Sequence, residues 1–212
     1  ANFTVTDVDN IFPIDFTLTT QPGTNYSVAN NILTPVADFN GELTVPVLVN
    51  DGTDNSEVFN ATVTVNAVND VPSITNQVTL SVNEDESLTL ELANFTVTDV
   101  DNIFPTDFTL TTQPGTNYTV ANNILTPIAD FNGELTVPVL VNDGTDNSEV
   151  FNATVTVSAV NDAPSFTIGD NQTIAEDAGA QSVTDFASNI SAGPADEAGQ
   201  VLTFNLTNDN NS

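Results

Sequence analysis

The sequence predicts an all-β protein made of tandem β-sandwich modules. Three observations carry that expectation: a near-verbatim internal repeat, apolar and polar residues alternating with period two, and turn residues between the alternating runs. Ala1 to Asp70 recurs as Ala93 to Asp162 at an offset of 92 residues, with four differences: Ile14/Thr106, Ser27/Thr119, Val36/Ile128 and Asn66/Ser158. The offset continues more loosely, Pro72 to Pro164 and Glu84-Asp85 to Glu176-Asp177, and the third copy diverges from about Gly179.

The elements follow in order. Asn69-Asp70-Val71-Pro72 and Asn161-Asp162-Ala163-Pro164 read as linkers, because proline fixes φ and cannot continue a ladder. Residues 1–70 are then the C-terminal part of a module without its first strands. Residues 71–162 are a complete module, and 163–212 the N-terminal part of a third, divergent one. Inside the complete module Val78, Leu80 and Val82 alternate with Thr79 and Ser81, and Leu88, Leu90 and Leu92 with Thr89 and Glu91. Phe151 to Ala159 is apolar on odd positions and polar on even ones, the signature of a half-buried antiparallel strand. Turns are expected at Asn83-Glu84-Asp85, Gln113-Pro114-Gly115, Asn132-Gly133 and Asn142-Asp143-Gly144. About seven strands in such a length is the immunoglobulin-like Greek-key pattern. Pro138, inside the run Leu135 to Val141, predicts a bulge or an edge there.

Composition narrows function. The chain has 29 Asp plus Glu and no Lys, Arg or His, a formal charge of -29. No carboxylate can therefore be neutralised by a side-chain cation, and clustered ones call for an ion from solution. Nothing here could neutralise nucleic-acid phosphates. With no Cys there is no disulfide or thiol chemistry, and no apolar run is long enough to cross a bilayer. Paired acids can hydrolyse glycosides, but these lie in repeated turns without His, Lys, Arg or Cys to orient a substrate, so no enzyme is expected.

Strand order sorts the acids. If strands alternate in direction, the turn Asn83 to Glu86 and the segment Asp130 to Glu134 fall at the end where the next linker leaves. The loops Thr98 to Asn102 and Asn142 to Asp146 fall at the other. The first junction would gather Asp38, Glu42, Asn69, Asp70, Asp99, Asp101 and Asp143. The second would gather Glu84, Asp85, Asp130, Glu134, Asn161 and Asp162 with acids of the third copy. Asp7, Asp9 and Asp51 repeat Asp99, Asp101 and Asp143, and Glu176-Asp177 repeat Glu84-Asp85. Such oxygen-only sets suit calcium, which takes six to eight oxygens in flexible geometry, whereas zinc or copper would want His or Cys. Taken singly, each turn also reads as an ordinary backbone-capping Asx turn.

The stretch Ala153 to Pro164 resembles the last strand and linker of cadherin repeats, and more closely the cadherin-like tandem repeats of large bacterial surface adhesins. Asp99-Val100-Asp101 looks like their Asp-x-Asp motif, Asn142-Asp143-Gly144 like their late acidic loop, and Glu84 like their early glutamate. The resemblance implies an extracellular, calcium-rigidified rod on a bacterial cell surface. Its partners would be neighbouring modules of the same long chain, other copies in a filament, or surface polysaccharide. This sequence departs from the pattern where Ala67 and Ala159 replace a linker Asp. In the third copy the Asp-x-Asp positions hold Ser191 and Gly193, leaving Asp196 and Glu197 as substitutes.

Overall fold

The computed structural model describes residues 3–207, which form two compact units divided between Asp70 and Val71. In the first unit, β1 (Thr17–Thr20), β4 (Gly41–Asn50) and β5 (Phe59–Val65) make an antiparallel sheet with β4 central. A separate hairpin joins β2 (Tyr26–Ala29) to β3 (Ile32–Pro35). Its core is Tyr26, Leu43, Val45 and Val47, with Phe3, Leu33, Ala61 and Val63 half-buried against it.

The second unit contains the complete repeat. Its strands are β6 (Ser73–Gln77), β7 (Leu80–Asn83), β8 (Leu88–Thr89), β9 (Phe95–Thr98), β10 (Thr109–Thr112), β11 (Tyr118–Ala121), β12 (Ile124–Pro127), β13 (Gly133–Asn142) and β14 (Phe151–Ser158). One sheet runs β10-β13-β14-β7, and the facing layer is built from β11-β12-β8 and β6-β9. Leu135, Val137, Val139, Val141, Val155 and Val157 from the first layer share one core with Ile74, Phe95, Val97, Tyr118 and Leu125 from the second. This is an immunoglobulin-like Greek-key sandwich, occurring in tandem with its near-identical neighbour.

Three elements differ from the sequence reading, each for a local reason. The alternation of Val78, Leu80 and Val82 is not one strand. The chain pairs antiparallel with β9 through β6, then crosses to pair parallel with β14 through β7. Gln77 bridges the crossing, its amide donating to the Thr154 carbonyl at 2.8 Å and accepting the Thr154 N–H at 2.8 Å, so the side chain stands in for a ladder. The Leu88, Leu90, Leu92 run also breaks, because Asn94 Oδ1 accepts the Glu91 N–H at 2.7 Å and closes a 3-10 turn over Leu92–Asn94. Pro138 is neither bulge nor edge: β13 is flanked on both sides, and its register with β14 runs unbroken, Pro138 opposite Asn152. The Pro138 carbonyl accepts the Gln113 N–H at 2.9 Å, while the Gln113 carbonyl, which proline cannot serve, accepts the Tyr118 hydroxyl at 3.0 Å.

Beyond Asp162 the same unit holds a two-stranded sheet of β15 (Ser165–Ile168) and β16 (Ala187–Ser191), with a register irregularity, followed by a 3-10 turn over Ala195–Glu197. Phe166 and Phe204 stack edge to face above it, centroids 5.4 Å apart.

Candidate metal centre

The site lies where β7 and β14 end and β13 begins. β14 releases the linker, β7 runs into the turn at Glu84-Asp85, and the segment before β13 carries Asp130 and Asn132. Glu84 extends the ladder one residue past β7, its N–H donating to the Ser158 carbonyl at 2.9 Å. Its buried carboxylate accepts the Val160 N–H at 2.6 Å and the Asn132 amide at 3.4 Å, tying linker, turn and segment together. Asp85 and Asp130 sit in the left-handed region at φ 62 and 57, which Asp tolerates better than most residues. The Asp85 side chain ties the turn to the segment, its Oδ1 accepting the Asp130 N–H at 3.3 Å.

The linker supplies the third acid. Asp85, Asp130 and Asp162 offer carboxylate oxygens that all lie within 4.8 Å of one another. Burial holds the Asp162 carboxyl above the usual carboxylate range, and the charges of Asp130, Glu197, Asp85 and Glu84 push it the same way. Glu197 reaches the linker from the third repeat, its Oε1 accepting the Asp162 N–H at 2.5 Å. Gln200 donates to Asn161 Oδ1 at 3.0 Å, and Asn161 donates to the Asp162 carbonyl at 2.8 Å. The donor set of Asp85, Asp130 and Asp162 is entirely oxygen and carries mutually repelling charge, and beside Asp162 the Glu197 Oε2 is a buried carboxylate oxygen with no hydrogen-bond partner. Those features fit a hard divalent cation.

The opposite pole of the sandwich is organised differently. Asp99 Oδ1 accepts the N–H groups of Asp101 at 2.8 Å and Asn102 at 2.7 Å, and Asp143 Oδ1 those of Thr145 and Asp146 at 2.7 Å. Asn102 joins the loops by donating to the Asp143 carbonyl at 3.3 Å. Asp143 is buried, Asp101 is exposed, and Asp99 Oδ2 and Asn102 Oδ1 are buried oxygens without a hydrogen-bond partner. In the first unit Asp7 and Asp51 repeat these capping turns. The two N–H groups hold the Asp51 carboxyl below the usual range.

Of the remaining candidates, Asp38, Glu42, Asn69 and Asp70 lie in the first unit and Asp99, Asp101 and Asp143 in the second. Asp9 and Asp38 are exposed, and Glu42 and Glu134 lie on outward strand faces opposite Thr64 and Thr156. Glu176, Asp177 and Asp196 are exposed. Sequence reasoning missed the amides of Asn132, Asn102 and Gln200; nothing marks a single Asn or Gln in so Asn-rich a chain.

No family model and no curated protein matches the chain. Among solved structures it is similar to human mucin-like protocadherin EC1-2, at 19% identity over 73% of this chain and 91% of that one, TM-score 0.37. It is also similar to domains 4-9 of the surface layer protein SbsC, at 18% identity over 77% of this chain and 25% of that one, TM-score 0.28. The tandem Ig repeats of Dlar are 9% identical over 68% of this chain and 84% of theirs, TM-score 0.26. At these scores the likenesses say nothing of what this chain binds.

Proposed function

We propose that the chain is a structural spacer in a secreted bacterial surface or matrix protein, a row of sandwiches whose linkers are stiffened by calcium. The observation that carries this reading is the meeting of Asp85, Asp130 and Asp162 within 4.8 Å of one another. The chain holds no Lys, Arg or His to neutralise them. In an array whose modules touch only their neighbours, stiffness is decided at the linkers. Without a cation the like charges repel and the linker swings. With one, turn, segment and linker are drawn to a common charge. Calcium suits the flexible, all-oxygen set better than magnesium, which sheds water reluctantly. No His, Lys, Arg or Cys stands beside these acids to orient a substrate, which supports a non-enzymatic role.

Binding of a polysaccharide is less well supported, since stacking on sugar rings wants exposed aromatic faces. Trp is absent and both tyrosines, Tyr26 and Tyr118, are buried, which leaves phenylalanines such as Phe59 and Phe166 as the exposed rings. Small-angle scattering tests the spacer reading. Millimolar calcium should narrow the distribution of maximum dimension for the native chain and leave Asp85→Asn/Asp130→Asn broad. A distribution indifferent to calcium in the native chain contradicts it.

A further inference from the structure

Glu197 makes a demand that the protein's own hydrogen bonds leave unmet. It is 4% exposed, its Oε1 accepts the Asp162 N–H, and its Oε2 is buried with no hydrogen-bond partner. Burying a carboxylate with half its acceptor capacity unused is costly unless a positive charge compensates it. The chain has no cationic side chain to do so. The surroundings are shaped to keep the carboxylate there. Gly193 has φ 154, and a Cβ at that position would overlap the Glu197 carboxylate while lying 3.4 Å from Asp162 Cβ. Glycine thus leaves room for the Glu197 carboxylate beside the linker. The Ser191 hydroxyl, 3.0 Å from the Gly193 carbonyl it donates to, steadies the loop.

Resting on the calcium reading above, we propose that Glu197, which sits beside Asp162 but outside the 4.8 Å group of Asp85, Asp130 and Asp162, joins that group as a fourth carboxylate when a cation binds and so couples the divergent third repeat to the bound ion. Ser191 and Gly193 stand where the second repeat has an Asp-x-Asp pair, so the third repeat brings its charge from a different element, the 3-10 turn Ala195–Glu197. Asp196, its neighbour, is exposed and takes no part.

The test is a calcium titration of the full chain followed site by site through the amide resonances of Asp85, Asp130 and Asp162. Four variants accompany it: Glu197→Gln, Glu197→Asp, Asp196→Asn and Asp130→Asn. Glu197→Gln keeps the Oε1 acceptor and removes only charge, and should raise the calcium midpoint at these amides roughly tenfold or more. Glu197→Asp keeps the charge but withdraws it, and should weaken binding in the same direction. Asp196→Asn should titrate as the native chain. If Asp130→Asn abolishes the response while both Glu197 variants titrate as native, the fourth-ligand assignment is wrong and the calcium reading stands. Equal weakening by Asp196→Asn and Glu197→Gln would reduce the effect to net charge and overturn the assignment. A native chain whose three amides ignore millimolar calcium overturns the calcium reading and this inference with it.

Discussion

Tyr118 and Asp162 show how single residues answer problems set by their neighbours. Pro138 cannot donate to the Gln113 carbonyl, and the Tyr118 hydroxyl takes that acceptor instead. Tyr118→Phe should therefore cost about 1–2 kcal/mol in chemical denaturation, the price of a buried acceptor left empty. No loss would mean that water serves Gln113 equally well. Asp162 and Asp51 are shifted in opposite directions from an ordinary aspartate, Asp162 upward by burial and neighbouring charge, Asp51 downward by two backbone donors. The raised group stabilises the calcium-free fold below its unfolded pKa, and that contribution is lost as pH rises through its folded pKa. For Asp51 the contribution is present above the unfolded pKa and lost as pH falls through the folded one. Carboxyl-carbon NMR titration without calcium should place the Asp162 inflection above that of Asp51; the reverse order contradicts the picture of a crowded linker acid. The acids were conspicuous in the sequence because nothing opposes them. Which neighbour of the Asp196-Glu197 pair turns inward was not, because a 3-10 turn of three residues has no readable period.

At the scale of elements, the chain contains its own control. Leu125 and Leu33 occupy the same place in near-identical repeats, yet Leu125, on a strand flanked by β11 and β8, is 0% exposed, and Leu33, whose strand pairs with β2 alone, is only half-buried. Elsewhere in the first unit an apolar groove of about 570 Å³ opens between Phe3, Leu18, Val47, Val49, Phe59 and Ala61. Leu125→Ala should cost about 3–5 kcal/mol in denaturant unfolding and Leu33→Ala clearly less, since both the transfer and the cavity terms scale with burial. Equal losses would mean that the flanking strands add little to the core. Strand existence was legible, because period-two alternation in Phe151 to Ala159 admits one reading. Strand boundaries were not: the break at Gln77 and the closure at Asn94 are made by side-chain amides whose partners lie far along the chain or in an unforeseen turn. The hairpin turn Asn122-Asn123, at φ 51 and 61, also went unread, although paired Asn between alternating runs is a type I′ signal.

On the scale of the whole molecule, a 92-residue repeat and a charge of -29 with no compensating side chain are the two facts from which the account grows. The shared position of Asp85, Asp130 and Asp162 at one end of the sandwich followed from strand order alone. Their approach to within 4.8 Å, and the arrival of Glu197, depend on the path of the linker, which no periodicity encodes. In the proposed role a calcium ion offsets this repulsion and stabilises the folded linker. Differential scanning calorimetry of the intact chain, in chelator, in millimolar magnesium and in millimolar calcium, tests it most directly. Calcium at a hundredfold excess over its dissociation constant should add about 2.7 kcal/mol per site and raise the melting temperature, with magnesium well behind. Superimposable curves in chelator and calcium would contradict the account.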